Sequence, residues 1–463
     1  MSHRDAAGLI HRALIANSDP TQGGFIAGTQ PDAQGRHGQS PEEDTMKPVS
    51  FAVAIACAGI PQIAQAQFVE PDVAVLYTLR AEHAGDQFGW VAEQIGDIDG
   101  DHAPDFVIGA PHSAAGGALA GRAYVYSGRT GALLHVVTGA ANDQIGFAVQ
   151  GPGDLDHDGV PDYAVGGPGG RVIALSGRDH HTLFDIRVAH EQFGFSIGAA
   201  GDVNHDGRPD LIVGAWSANA AAGKAYVLSG RDGSVLWTTN GPNPGAGLGQ
   251  GVSGLDDLDH DGRPDVVASA PGAGPSFLGA AFVYSGRDGS VLRTLAPDPT
   301  AVNFGTFFTH DAGDVDRDGT RDILISDFAD TEGGVATGKS YVFSGRTGAR
   351  LWVFRGEAAN DGFGEGRGVG DVDHDHHADL LLASYNSSAG ATSAGKLYLY
   401  SGADGHVIRT MTGTVAGDQL GFDALAVGDV DHDHATDFLI TGVDVAHVVA
   451  GTRRCDDHGH GHD

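Results

Sequence analysis

The stretch 154-DLDHDGVPDYAVGGP-168 places four aspartates within nine residues and then turns apolar. Carboxylates that close repel one another unless a proton or a cation compensates them. The arrangement occurs seven times, with first aspartates at Asp97, Asp154, Asp202, Asp257, Asp314, Asp371 and Asp429. The mean spacing is about 55 residues, a period that points to a propeller, a solenoid or an array.

Each repeat carries the same pieces in order. An apolar-Gly pair stands eight to ten residues before the cluster: Phe88-Gly89, Ile145-Gly146, Phe193-Gly194, Leu248-Gly249, Phe304-Gly305, Phe363-Gly364 and Leu420-Gly421. The aspartates follow, then a short apolar run such as 106-FVIGAP or 211-LIVGAW. An alternating segment closes in Ser-Gly, as in 124-YVYSGRTG, 226-YVLSGRDG and 398-LYLYSGADG, and a further strand such as 350-RLWVFRG comes after it. That makes about four short strands per repeat with no helical period. Four-stranded antiparallel units repeated seven times predict an all-β, seven-bladed β-propeller. The ends of the chain support closure. The segment 73-VAVLYTLR matches the strand that ends a repeat, and the last repeat stops at 447-HVVAG without one. The N-terminal strand is therefore expected to complete the last blade and hide its free edge.

The cluster reads D-x-[DN]-x-D-[GH]-x-x-D, with 27 Asp and one Asn at 28 positions. The candidate ligands are Asp97, Asp99, Asp101 and Asp105; Asp154, Asp156, Asp158 and Asp162; Asp202, Asn204, Asp206 and Asp210; Asp257, Asp259, Asp261 and Asp265; Asp314, Asp316, Asp318 and Asp322; Asp371, Asp373, Asp375 and Asp379; and Asp429, Asp431, Asp433 and Asp437. Side chains at loop positions 1, 3 and 5 curl around one point, position 7 can offer its carbonyl, and position 9 closes the cage. Hard oxygen ligands on a flexible loop suit Ca²⁺ better than Mg²⁺, which demands a strict octahedron. The loop is not an EF-hand, because position 12 falls in a strand (Val165) rather than on a helical Glu. That predicts modest affinity, roughly 10⁻⁴–10⁻³ M as in extracellular modules. Gly159, Gly207, Gly262 and Gly319 occupy position 6 in four loops, whereas His102, His376 and His434 replace Gly in three. His accepts positive φ at some cost, so those three loops are expected to bind more weakly.

The 463 residues include 73 Gly and carry 27 basic against 60 acidic side chains, a formal charge of −33. Such acidity argues against nucleic acid or an anionic membrane as partner. Seven bound Ca²⁺ would bring the charge to about −19. Residues 46–67, MKPVSFAVAIACAGIPQIAQAQ, have the Lys, the apolar run and the Ala-Gln-Ala of a secretory signal peptide, with cleavage expected after Ala66. The apolar run is too short to anchor in a membrane. Met46 is then expected to be the true start, with residues 1–45 an upstream extension; a lipoprotein site at Cys57 is the weaker alternative because Ala54-Ile55-Ala56 fits it poorly. Cleavage leaves Cys455 as the lone cysteine, so an exported chain without an internal disulfide needs another staple, and the aspartates offer one. Residues 67–452 are read as the propeller and 453–463 as a His-rich tail. The tail's 458-HGHGHD has ligands for Zn²⁺, Cu²⁺ or Ni²⁺, yet is read as functionally silent.

The Phe-Gly pair, the Asp cluster and 109-GAP-111 together resemble the FG-GAP repeat of integrin α-chain propellers, and related repeats occur in secreted bacterial proteins. The resemblance covers about residues 73–451 and implies Ca²⁺ in the blade loops and a role in extracellular adhesion or recognition. Gly-Ala-Pro departs to Ser-Asp-Phe at 326–328, Ala-Ser-Tyr at 383–385 and Thr-Gly-Val at 441–443. No inserted ligand-binding domain, leg domain or membrane anchor is visible, so integrin-type signalling does not carry over.

The resulting expectation is an exported, monomeric, calcium-binding, non-catalytic module for extracellular protein or glycan ligands. The alternatives are a secreted polysaccharide lyase or esterase-like hydrolase with its site over the central channel, and a scaffold subunit. The match of 194-GFSIG-198 to G-x-S-x-G is discounted, because Ser196 lies in a strand and a nucleophile elbow needs a strand–turn–helix. His157, His205, His260, His374 and His432 at position 4 are read as solvated surface.

Overall fold

The computed structural model describes residues 67–451; the expected extension, signal peptide, Cys57, Cys455 and His-rich tail lie outside the described residues. Seven four-stranded antiparallel sheets form, one per repeat. In blade 1 the strands run Ala92–Gly96, Asp105–Ala110, Arg122–Tyr126 and Leu133–Thr138 from the axis outward. The inner strands of successive blades touch one another in a closed ring, the seventh (Ala424–Gly428) returning to the first. The expected β-propeller is therefore present, and helix among the described residues is confined to single turns such as Ala218–Ala221.

The second strand of every blade is buried along its whole length. That is why the run after each Asp cluster is continuously apolar: both faces pack on neighbouring blades. The core is accordingly divided into layers between blades, one joining Ile95, Val107 and Val125 of blade 1 to Val149, Tyr163 and Val165 of blade 2. The apolar-Gly pairs anchor these layers. Phe88 and Phe193 are buried and meet Tyr124 and Tyr226 edge-on. The glycines allow close approach: Gly146 has φ +86, and a Cβ on Gly109 would lie 1.9 Å from the Gly146 carbonyl oxygen. In blades 4 and 5, where Ser269 and Ser326 stand in place of that Gly109-type glycine, the hydroxyls donate to the corresponding carbonyls of Gly305 and Gly364.

Outer strands reach sideways to clasp the next blade's Ser-Gly turn. Trp237 Nε1 donates to Gly286 O (2.7 Å), Arg293 to Gly345 O (2.6 Å), Trp352 Nε1 to Gly402 O (3.0 Å) and Arg409 to Ala450 O (3.0 Å). Tyr77 does the same to Gly128 O across the closure. Between blades 1 and 2, His135 instead stacks on His180 with ring centroids 4.2 Å apart.

Closure follows the expected route. Val75–Arg80 pairs antiparallel with Val445–Val449 and becomes the outer strand of blade 7. Before it, the chain is latched to the outer strand of blade 6. The Glu70 carboxylate accepts from Thr412 N (2.7 Å), Thr412 Oγ (2.7 Å) and Thr410 Oγ (3.0 Å), and Phe68 enters the core. No helix among the described residues is long and apolar enough to cross a membrane.

Candidate functional site

Each acidic loop joins the inner strand of its blade to the second strand, so all seven leave the same end of the inner strands. The loops curl through their own side chains. In the second, Asp154 accepts from Asp158 N (3.2 Å) and Gly159 N (2.9 Å), Asp156 from Asp158 N (3.0 Å), and Asp158 from Val160 N (2.9 Å). Five other loops repeat this scheme, and in the first Asp97 accepts from Gly100 N (2.7 Å) and His102 N (3.0 Å) instead. Carboxylate oxygens of Asp97, Asp99 and Asp101; Asp154, Asp156 and Asp162; Asp257, Asp259 and Asp265; Asp314, Asp316 and Asp322; and Asp371, Asp373 and Asp379 lie within 4.8 Å of one another in each group.

Position 9 does something that the pattern did not reveal. Asp105, Asp162, Asp210, Asp265, Asp322, Asp379 and Asp437 are wholly buried. In blade 3, Asp210 Oδ2 accepts from Val203 N (3.0 Å) and Asn204 N (3.3 Å), while Oδ1 accepts from Gly230 N (2.9 Å). The last donor belongs to the Ser-Gly turn. The same link recurs to Gly128, Gly177, Gly286, Gly345 and Gly402, and in blade 7 to Gly451, which follows Ala450 in place of the Ser. This aspartate ties the loop to the turn; where it accepts two or three backbone bonds it keeps part of its roughly four lone pairs for a cation, whereas Asp210 accepts a fourth bond from Asn204 Nδ2 (3.3 Å). Burial pushes the carboxyls up to about 6 at Asp105, Asp162, Asp210 and Asp265 and about 7 at Asp322, against the lowering effect of their backbone donors.

Position 6 is left-handed in every loop, including His102 (φ 70), His376 (φ 72) and His434 (φ 71). Position 4 is left-handed as well, with Gly100, Arg317 and the five histidines between φ 59 and 81. Those histidines are exposed, as expected. Their recurrence has a backbone cause, because His is enriched several-fold in this conformation. Side chains at position 7 lace neighbouring loops together: Arg208 donates to Leu155 O, Arg263 to Val203 O, and His377 Nδ1 meets Val315 O at 2.6 Å. Arginines after the Ser-Gly turns hold two position-5 carboxylates, Arg178 on Asp158 (2.5 Å) and Arg346 on Asp318 (3.1 Å).

The inner strands also build the axis. Seven residues before the first loop aspartate stand Trp90, Phe147, Phe195, Phe307 and Phe422, whose rings meet across the channel. Centroids are 4.9 Å apart for Trp90–Phe147, 5.1 Å for Trp90–Phe422 and 5.3 Å for Phe195–Phe307. Phe307 adopts φ +64, uncommon for a bulky residue, where blade 5 carries one extra residue between its apolar-Gly pair and its loop. Reading the residue after each apolar-Gly pair as a column would have exposed most of this aromatic layer. Three residues further on lie Glu93, Gln150, Ser253, His310 and Arg367. Arg367 pairs with Glu93 and with Asp423 (2.8 Å) and donates to Ala92 O (2.9 Å). Glu365 is buried with Oε2 unpartnered, and burial together with Asp423 pushes its carboxyl well up. Burial and the Arg367 charge push the His310 imidazole well down, which favours its neutral form. Ser196 donates to Gly249 O (2.9 Å) from the start of an inner strand, which is no nucleophile elbow.

Comparison with known proteins agrees with this architecture. The FG-GAP repeat family matches residues 89–126, 193–228, 248–287 and 363–400. Integrin alpha-6 of Gallus gallus is 31% identical over 97 residues, 20% of this chain and 9% of that protein. Integrin alpha-6 of Homo sapiens is 38% identical over 77 residues (16% and 7%), and integrin alpha ina-1 of Caenorhabditis elegans 32% over 107 residues (19% and 9%). The aligned part thus spans less than a tenth of the length of each relative. With seven four-stranded blades and these matches in four of its repeats, the chain is an integrin-α-like FG-GAP repeat β-propeller.

Proposed function

We propose that this propeller is an exported, calcium-stabilised recognition module that binds extracellular protein or glycan ligands without catalysis. The observation that supports it best is the convergence of loop carboxylates in groups of three, repeated around one end of the ring. The donor set fits Ca²⁺: hard oxygens, several per site, on loops that can adjust. Positions 1, 3 and 5 would hold the ion, from Asp97, Asp99 and Asp101 in the first loop to Asp429, Asp431 and Asp433 in the last, with position 9 beneath it. Bound Ca²⁺ would supply charge compensation and fix the loops. Asp158 and Asp318, engaged by arginines, would contribute less than their equivalents.

Export through residues 46–66 and cleavage near Ala66 belong to the same reading, as does a monomeric state. The integrin relatives support an extracellular role. A non-catalytic role fits the channel chemistry, where Glu93 and Asp423 are both held by Arg367 rather than poised as an acid and a base. The test is an array of glycans and matrix proteins probed with residues 67–463 in millimolar Ca²⁺ and again in EGTA. A calcium-dependent hit is expected. Silence in both conditions from folded protein would overturn the recognition reading and turn attention to activity screens.

A further inference from the structure

The central channel holds a cavity of about 450 Å³, within the roughly 300–1,000 Å³ usual for small-molecule sites. The aromatic layer closes the channel toward one end. The cavity lies on the other side of it, among the residues that lead into the acidic loops, and is lined by Glu93, Gln150, Ser253, His310, Asp311 and Arg367. Unlike the loops, this ring takes a different side chain from each blade, which is how a site rather than a scaffold is built.

The charges there are already engaged. Arg367 is bound by Glu93 and Asp423, and Asp311 is bound by Arg321 at 2.7 Å. An anion finds no free guanidinium, and a cation finds each carboxylate paired. What remains are groups that both donate and accept. The Gln150 amide and the His310 imidazole have no hydrogen-bond partner among the described residues, and the Ser253 hydroxyl makes only a 3.3 Å contact with Gly254 O. The cavity wall carries several glycines and two prolines, Pro152 and Pro264, and no Phe, Tyr or Trp; its one ring is the small His310 imidazole. Neutral groups of mixed donor and acceptor character, in a space for about one or two rings, match a polyhydroxylated ligand.

We propose that the channel cavity is a carbohydrate-binding site, taking a neutral sugar either free or as the end of a glycan through Gln150, Ser253 and His310. This deepens the recognition reading and rests on it, but it is separable from the calcium loops. Saturation-transfer NMR and calorimetry would use the whole chain with methyl glycosides of glucose, galactose, mannose and N-acetylglucosamine at about 20 mM, a range that detects millimolar binding. Disaccharides ending in the same sugars form a second arm. Equal binding of glycoside and disaccharide assigns the glycan end, and binding of the single sugar alone assigns a free sugar.

At least one sugar is expected to bind, and binding should weaken about ten-fold or more in Gln150→Leu, which leaves the ligand's hydroxyl unpaired. Ser253→Phe should abolish it by filling the space. No binding of any sugar by folded protein overturns the inference, as does binding that both variants leave intact. A calcium-dependent protein ligand on the array, together with no sugar in the channel, would defeat this inference alone. Sugar bound in the channel with a silent array would leave the channel site standing and defeat only the calcium-dependent role.

Discussion

The acidic rim and the channel are built by adjacent residues of the same seven segments, yet they follow opposite rules. At loop position 9 the residue is Asp in every blade. Four residues before the loop it is Glu93, Gln150, Gly198, Ser253, His310, Arg367 and Leu425 in turn. The rim repeats because each blade faces one local problem: a tight loop must be tied to the Ser-Gly turn beside it, and a buried carboxylate accepting backbone N–H groups does this. The channel does not repeat because its seven residues share a single space, where a side chain's demands depend on the other six. Arg367 needs Glu93 and Asp423, which come from blades 1 and 7. Repetition marks what holds the ring, and its breakdown marks where the chain is free to specialise.

Removing calcium should produce the largest difference between the two regions. With Ca²⁺ at about five times Kd each occupied loop gains about 1 kcal/mol, so the rim as a whole should gain several. A clear fall in melting temperature in EGTA is expected; an unchanged value would sink the metal reading. Next comes Asp210→Ala, which strands three backbone donors. It should cost about 3 kcal/mol or more in urea unfolding, with or without calcium. A loss seen only when calcium is present would mean that Asp210 acts purely as a ligand.

Acid should blur the contrast. Without metal, the folded-state pKa at position 9 is raised, to about 6 in four loops and about 7 at Asp322. The proton-linked stability from these groups is therefore fully present below the ordinary carboxylate pKa, about 4, and lost as pH rises through 6 to 7. Calcium should raise the melting temperature less at pH 5.5 than at pH 7.5, because protons already relieve part of the burial cost. Equal increments at both values would show that position 9 lies outside the metal's shell. The smallest stability effect should come from Gln150→Leu in the channel, within about 0.5 kcal/mol of the parent. A large destabilisation there would make the channel part of the scaffold and erase the distinction.

Much of the rim was legible from residues alone. The loops, their left-handed sixth position, the buried apolar-Gly pairs and the closing strand were all signalled by local chemistry that recurs seven times. Less visible was the reason for His at position 4: it reads as surface decoration until the backbone shows φ near +60 there. The clasps by Trp237, Arg293 and Trp352 were also hidden, because each targets a carbonyl about fifty residues away and the side chain that does so switches between Trp and Arg from blade to blade. The aromatic layer lay in plain sight at Trp90, Phe147, Phe195 and Phe422. Blade 5 obscured it by adding a residue, and blade 6 by losing one.

The number of blades, the order of their strands, the closure and the places where carboxylates gather can all be read from the residues. Those features rest on dihedral preferences, alternation and short-range charge, which a stretch of ten residues carries whole. The assembled ring is needed to see that position 9 serves the backbone, that Arg367 sits between two acids, and that Gln150, Ser253 and His310 face one cavity. These depend on how seven strands converge on an axis, and that convergence comes from packing between blades, which no single repeat encodes.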